Sequence, residues 1–172
     1  MVTLSKYLDG YFSCSLIDLN DKKWHSKAKI PSEPGWYFIR SNTPVDVLCK
    51  QEIWQKTYTT KIKKELKPVL NYNLAGRAQR YSPDLSSYWN LFEVYSGMAS
   101  DLMARAREHS FPDPGTGGLA LSCYPALKKY EWLFGYITLN RFKSNASCNE
   151  VLLRLGEQIW RSKHGWPILC AE

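Results

Sequence analysis

Tyr37, Tyr95, Arg105, His109 and Glu157 are the residues whose types and spacing suit chemistry on a phosphodiester. Arg105 follows Tyr95 by ten residues, and His109 follows Arg105 by four, so the last two share one face of a helix. Glu157 interrupts the apolar stretch LLRLGEQIW beside Gly156. A glycine inside a helix costs about 1 kcal/mol, so its presence points to a close approach by backbone or ligand. Glutamate is a hard oxygen ligand suited to Mg²⁺, which keeps most of its waters; Mn²⁺ is the natural substitute. Such an ion polarises a phosphate and stabilises a leaving oxyanion. Arginine stays charged at any working pH and can neutralise a pentavalent phosphorane. A tyrosine can hold or activate the attacking water if nearby positive charge lowers its pKa from about 10. Histidine can take the tyrosine proton or bond the phosphate. Plainer roles exist for each: core tyrosines, Arg105 on a solvated helix face, a His at a helix C-terminus, and an exposed Glu157 paired with Arg161 at i+4.

The elements that must position these residues read in the order strand, insertion, strand, helix, strand, helix. GWYFIR (35–40) and WNLFEVYSG (89–97) are rich in aromatic and β-branched residues and predict strands. MASDLMARAREHS predicts a helix, with Asp101 at its start where the dipole favours a carboxylate. YEWLFGYITL (130–139) is mostly apolar and predicts a central strand. EVLLRLGEQIWRSKHG (150–165) predicts a helix whose apolar stripe is Val151, Leu152, Leu155, Ile159 and Trp160, stopped by Gly165 and Pro167. The pattern is that of a small α/β (α+β) fold, a short sheet with helices packed on it.

Charge is concentrated. The chain has 23 Lys+Arg against 16 Asp+Glu, for a net +7. Residues 50–80 hold eight basic residues and two acids. Within them KIKKELKPVL predicts a basic helix stopped at Pro68. Lys61, Lys63, Lys64, Lys67, Arg77 and Arg80 are therefore candidate contacts to nucleic-acid phosphates, mostly independent of sequence. Aromatic residues make up 14%, and some of them could stack on bases, although core packing is the simpler use. The 44% hydrophobic content excludes a disordered chain. No apolar run is long enough for a membrane span, and the start lacks a secretory h-region, so a cytoplasmic location is expected. Five scattered cysteines with no C-x-x-C pair argue against a disulfide framework or a zinc finger. One domain over 1–172 is expected, with an N-terminal extension (1–33), a basic insertion (41–88) and the remainder of the core (89–172).

The residues G-W-Y (35–37), V-Y-S-G-M-A-S-D-L-M-A-R-A-R-E-H (94–109), E-Q-I-W (157–160) and W-P-I-L (166–169) resemble the GIY-YIG nuclease superfamily. The resemblance covers residues 35–40 and 89–170 and is most specific over 95–109. It implies a three-stranded sheet flanked by helices, with the basic segment inserted between the first two strands as a DNA-contacting embellishment. It also implies catalytic roles for Tyr37, Tyr95, Arg105, His109 and Glu157, with Glu157 holding the metal. Two positions depart from the pattern: Ser96 stands in the middle of the second tripeptide, and Cys170 stands where an Asn is usual. The function implied is Mg²⁺-dependent endonucleolytic cleavage of double-stranded DNA, as in a type II restriction or other defence nuclease, with a homodimer if the target is palindromic. The alternatives are a nucleic-acid-binding protein without catalysis and a structure-specific or toxin nuclease.

Overall fold

The computed structural model describes residues 3–10, 12–55, 57–62, 65–80, 93–113, 116–142 and 149–170. Its main sheet has four antiparallel strands, β1 (Ser13–Leu16), β2 (Gly35–Ser41), β5 (Glu93–Ala99) and β6 (Trp132–Thr138), in the order β1-β6-β2-β5. The expected three-stranded sheet is thus corrected to four. The added strand lies in the segment expected to be an extension, and pairs Ser13 with Tyr136 and Leu16 with Leu133. Its sequence, SCSL, is short and polar, and Leu16 is 62% exposed, so it carries little of the hydrophobic signal by which strands are read.

A second sheet is the hairpin β3 (Thr57–Ile62) and β4 (Glu65–Leu70). The basic segment is therefore a β-ribbon over these residues, not a helix. TYTTKI is β-branched and aromatic, which outweighs the helical preference of the lysines. Pro68 sits opposite Thr59, and a two-stranded ribbon tolerates it because each strand has a free edge. The helices of this segment are short: α3 (Val45–Cys49) and α4 (Leu74–Ala78), the latter capped by the Asn73 side chain on the Gly76 N–H. With α1 (Leu4–Leu8), α2 (Trp24–Lys27), α5 (Leu102–Ser110) and α6 (Asn149–His164), six α-helices occur among the described residues. None of them is long and apolar enough to cross a membrane.

β2 is central and buried from Gly35 to Ile39, because both of its faces are covered. Alternation sends Tyr37 and Ile39 to one face, where they join Val94, Phe134 and Trp132 with Leu102 and Ala106 of α5. Trp36 and Ile137 go to the other face and meet Leu4 and Leu8 of α1 and Leu153 of α6. Each fully buried Leu or Phe here contributes about 1.5–3 kcal/mol of apolar burial. The pairing of β2 with β5 shifts between Ile39 and Arg40, a bulge beside Tyr95.

α5 starts where expected. The Asp101 side chain accepts from the Ala104 N–H at 2.9 Å, and the Glu33 and Pro31 carbonyls take the Leu102 and Met103 N–H groups. The buried stripe of α6 differs from the expected one. It is Leu153, Gly156 and Trp160, flanked by the partly buried Leu152 and Ile159, while Val151 and Leu155 are 60% and 49% exposed. The helix is rotated because Gly156 lies against Trp36, whose indole N–H bonds the Leu153 carbonyl at 2.8 Å. The close approach permitted by Gly156 is therefore by a core side chain. Gly165, at φ 89°, ends the helix, and the chain returns to β5 through a Leu169 N–H to Val94 carbonyl bond of 2.9 Å.

Candidate phosphate-cleaving site

Tyr37, on the central strand, and Arg105 and His109, one turn apart on α5, meet at a single oxygen. The Arg105 Nε–H donates to Tyr37 Oη at 3.0 Å, and His109 Nε2 lies 2.9 Å from the same oxygen. The Leu119 N–H donates to His109 Nδ1 at 3.3 Å, which leaves the proton of the neutral ring on Nε2. His109 is thus a donor to Tyr37 in this arrangement rather than the acceptor of its proton. Burial drives the His109 pKa well below the ordinary value, and the Arg105 charge adds to this, so the ring is neutral at neutral pH.

Tyr95 completes the cluster. Its ring stacks on Tyr37 with centroids 6.2 Å apart, and lies 4.7 Å from the His109 ring. Gly97 is opposite Tyr37, and a Cβ there would come within 2.5 Å of Tyr37 Oη. The tripeptide Tyr95-Ser96-Gly97 therefore places one aromatic ring and one vacancy around the same hydroxyl. Burial raises both tyrosine pKa values, that of Tyr37 steeply, while Arg105 pulls each down. Both hydroxyls are protonated at neutral pH, so base action by either needs further positive charge or transfer of the proton during the reaction.

Arg105 donates to Tyr37 Oη, to the Glu108 carboxylate at 2.8 Å and to the Thr116 carbonyl at 2.8 Å, and it also hydrogen-bonds the Tyr95 hydroxyl. Burial opposes its charge, but Tyr37, Tyr95 and Glu108 outweigh this, so it stays a cation. Arg107, two residues on, turns outward and pairs with Asp113, which separates the roles of these two arginines.

Glu157 comes from α6, on the other side of the sheet. It lines a narrow cleft with Tyr37, Ser96 and Gly97, walled by Phe12, Trp36 and Trp160. The free volume is about 10 Å³, room for one water. Burial raises the Glu157 pKa, with Arg161, Arg154 and Arg105 pulling against it. Its carboxylate is paired with Arg161 at 2.6 Å, and the two side chains are only 17% and 10% exposed. Among the described residues no three His, Cys, Asp or Glu side chains form a metal-holding group. Glu157 is the one carboxylate lining the cleft among the described residues, so an ion bound there would take its remaining ligands from water and from substrate phosphate, which is how Mg²⁺ is usually held.

Sequence reasoning missed the partners that hold these groups. Ser96 is buried, and its N–H donates to Cys170 Sγ at 3.2 Å while the thiol donates back to the Ser96 carbonyl at 3.3 Å. Cys170 thus binds both backbone groups of Ser96, the residue next to Tyr95 on the strand. Burial raises its pKa and keeps the donating proton in place. Tyr72 packs edge-on against Tyr95, and its hydroxyl donates to the Leu169 carbonyl. The 14% aromatic content, already visible, was a signal for a tyrosine cluster. Nothing in the spacing singled out Ser96 with Cys170.

The basic candidates are placed unevenly. Lys61 lies on β3 and Lys67 on β4, while Lys63 and Lys64 fall outside the described residues. Arg77 is on α4, close enough for its charge to act on Tyr72, and Arg80 is exposed just beyond that helix. Leu74 and Ala78 root α4 in the same core as Tyr37, which ties the basic segment to the site. A larger cavity of about 350 Å³, lined by Ser13, Lys29, Glu33 and Tyr136, contains none of the five candidate catalytic side chains. Comparison with protein-family models, curated proteins and solved structures gives no match to this chain.

Proposed function

We propose that the protein is a metal-dependent DNA endonuclease, with Mg²⁺ as its ion and Mn²⁺ as a substitute. The observation that carries this reading is convergence. Arg105 and His109 meet at the hydroxyl of Tyr37. Tyr95, 58 residues away in sequence, packs its ring on Tyr37 and His109, and Glu157 from a third element lines the cleft beside them. In this reading Arg105 neutralises charge on the phosphorane, and Tyr37 and Tyr95 orient the attacking water. His109 fixes the Tyr37 hydroxyl, and Glu157 holds the ion. The ion when bound polarises the phosphate and lowers the pKa of its water.

Lys61, Lys63, Lys64, Lys67, Arg77 and Arg80 supply sequence-independent grip on double-stranded DNA. A compact chain with its own basic segment suits a type II restriction or other defence nuclease working in the cytoplasm, as a homodimer if its target is palindromic. Incubation of supercoiled plasmid with purified protein, in Mg²⁺ and in EDTA, tests the reading. Metal-dependent nicking by the wild type, lost in Arg105→Ala with DNA binding kept, is the expected result.

One observation favours a second reading, DNA binding without catalysis: Glu157 is already neutralised by Arg161. Binding with no metal-dependent nicking at any tested metal is its signature.

A further inference from the structure

We infer that Arg161 is the resident counter-ion of Glu157 and makes metal loading at this carboxylate wait for the substrate phosphodiester. The inference rests on the nuclease reading above and concerns the same site.

Arg161 is anchored on four sides. Its Nε–H donates to Ser96 Oγ at 3.1 Å, and Nη2 donates to the Ser96 carbonyl at 3.0 Å. Nη2 also pairs with Glu157 Oε1 at 2.6 Å, and the guanidinium lies 4.4 Å over the Trp166 ring. Ser96 is itself fixed, paired with Phe38 across the sheet and bonded through both backbone groups to Cys170. The two departures from the family pattern, Ser96 and Cys170, are therefore one unit. An Ile or Val at 96 has no oxygen for the Arg161 Nε–H.

This anchoring has an electrostatic consequence. A side chain free to swing would yield Glu157 to a divalent ion at little cost. Arg161 must instead break its bonds to Ser96 or share the carboxylate with a second cation in a narrow, largely buried cleft, where like charges repel strongly. Among the described residues no second carboxylate lines the cleft beside Glu157. A phosphodiester oxygen supplies the missing negative charge and a further ligand, so ion and substrate load together. The probe is a divalent ion alone, and the chemistry recognised is a phosphodiester.

Mn²⁺ binding to purified protein, read from the electron paramagnetic resonance signal of the free ion, tests this. Without DNA, the wild type is expected to take up no Mn²⁺ in the low-millimolar range. Arg161→Met should bind it at least about tenfold more tightly, ~1.4 kcal/mol. Adding Glu157→Gln to that variant should abolish the gain. Arg161→Lys, which keeps the charge but loses the guanidinium's paired bonds to Ser96, and Ser96→Ala, which loosens the anchor without emptying the site, should both fall between. With a short duplex present, the wild type should retain more Mn²⁺ than Glu157→Gln with the same duplex. Wild-type binding without DNA as tight as that of Arg161→Met overturns the inference, as does equal retention by wild type and Glu157→Gln on DNA. Failure of the nuclease reading shows separately, as absence of metal-dependent cleavage by the wild type.

Discussion

Replacing Tyr37 by Phe removes one oxygen and leaves the ring stacked on Tyr95 and Phe134, with centroids at 6.2 and 5.2 Å. Apolar burial is thus unchanged, and the cost comes from the lost polar contacts. The Arg105 Nε–H loses its acceptor, but the guanidinium keeps Glu108 and the Thr116 carbonyl, so it is not left uncompensated. His109 Nε2, in a ring that is 0% exposed, loses its acceptor while sealed from bulk solvent. One charge-assisted bond and one unsatisfied buried N–H amount to about 2–4 kcal/mol. For a domain of this size that is a fall in melting temperature of roughly 5–15 °C. Urea unfolding is the assay, with the m-value expected to stay constant because the surface exposed on unfolding is unchanged. A loss under ~0.5 kcal/mol would refute the claim that this hydroxyl organises both Arg105 and His109.

Other outcomes follow from the same structure. Gly156→Ala raises helix propensity by about 1 kcal/mol, yet it should destabilise by about 1–3 kcal/mol in urea, because its Cβ would overlap the Trp36 indole. The depressed His109 pKa makes its stability contribution complete above the unfolded value of about 6.5 and lost as pH falls toward the folded value. Unfolding free energies measured between pH 7.5 and 5 should therefore drop more steeply for wild type than for His109→Gln. Replacing Lys61 and Lys67 together by Gln should weaken DNA binding without changing sequence preference. It should also lower the slope of log affinity against log salt by about 2, measured by titration at several salt concentrations.

What could be read from the residues alone was the skeleton of the site. Two aromatic strands, a helix opened by Asp101 and the Arg105–His109 spacing emerged because each rests on a local rule: period, cap and helical pitch. Their meeting at Tyr37 Oη depends on β2 lying between β5 and β6, which no local rule specifies. The fourth strand escaped because SCSL has little apolar content, and a short edge strand needs little. The hairpin reads as a helix in sequence because its lysines favour one, and the β-branched Thr57–Ile62 decides it through pairing. The stripe of α6 was displaced because Leu155 looks like a core residue in sequence, whereas Trp36 demands Gly156 on the buried side. Arg161 read as a surface partner for Glu157. The pair formed, but Ser96 and Cys170, distant in sequence, drew it into the cleft.

Cleavage of supercoiled plasmid by wild type and Glu157→Gln, side by side in Mg²⁺ and in EDTA, tests the central claim most directly. Glutamine keeps the shape of the side chain and an oxygen for Arg161 while removing the charge that would hold the ion. Nicking by the wild type that requires Mg²⁺ and disappears in Glu157→Gln, with DNA affinity retained, is the predicted result. Undiminished nicking by purified Glu157→Gln, or a wild type that binds DNA and never nicks it with metal, contradicts the account.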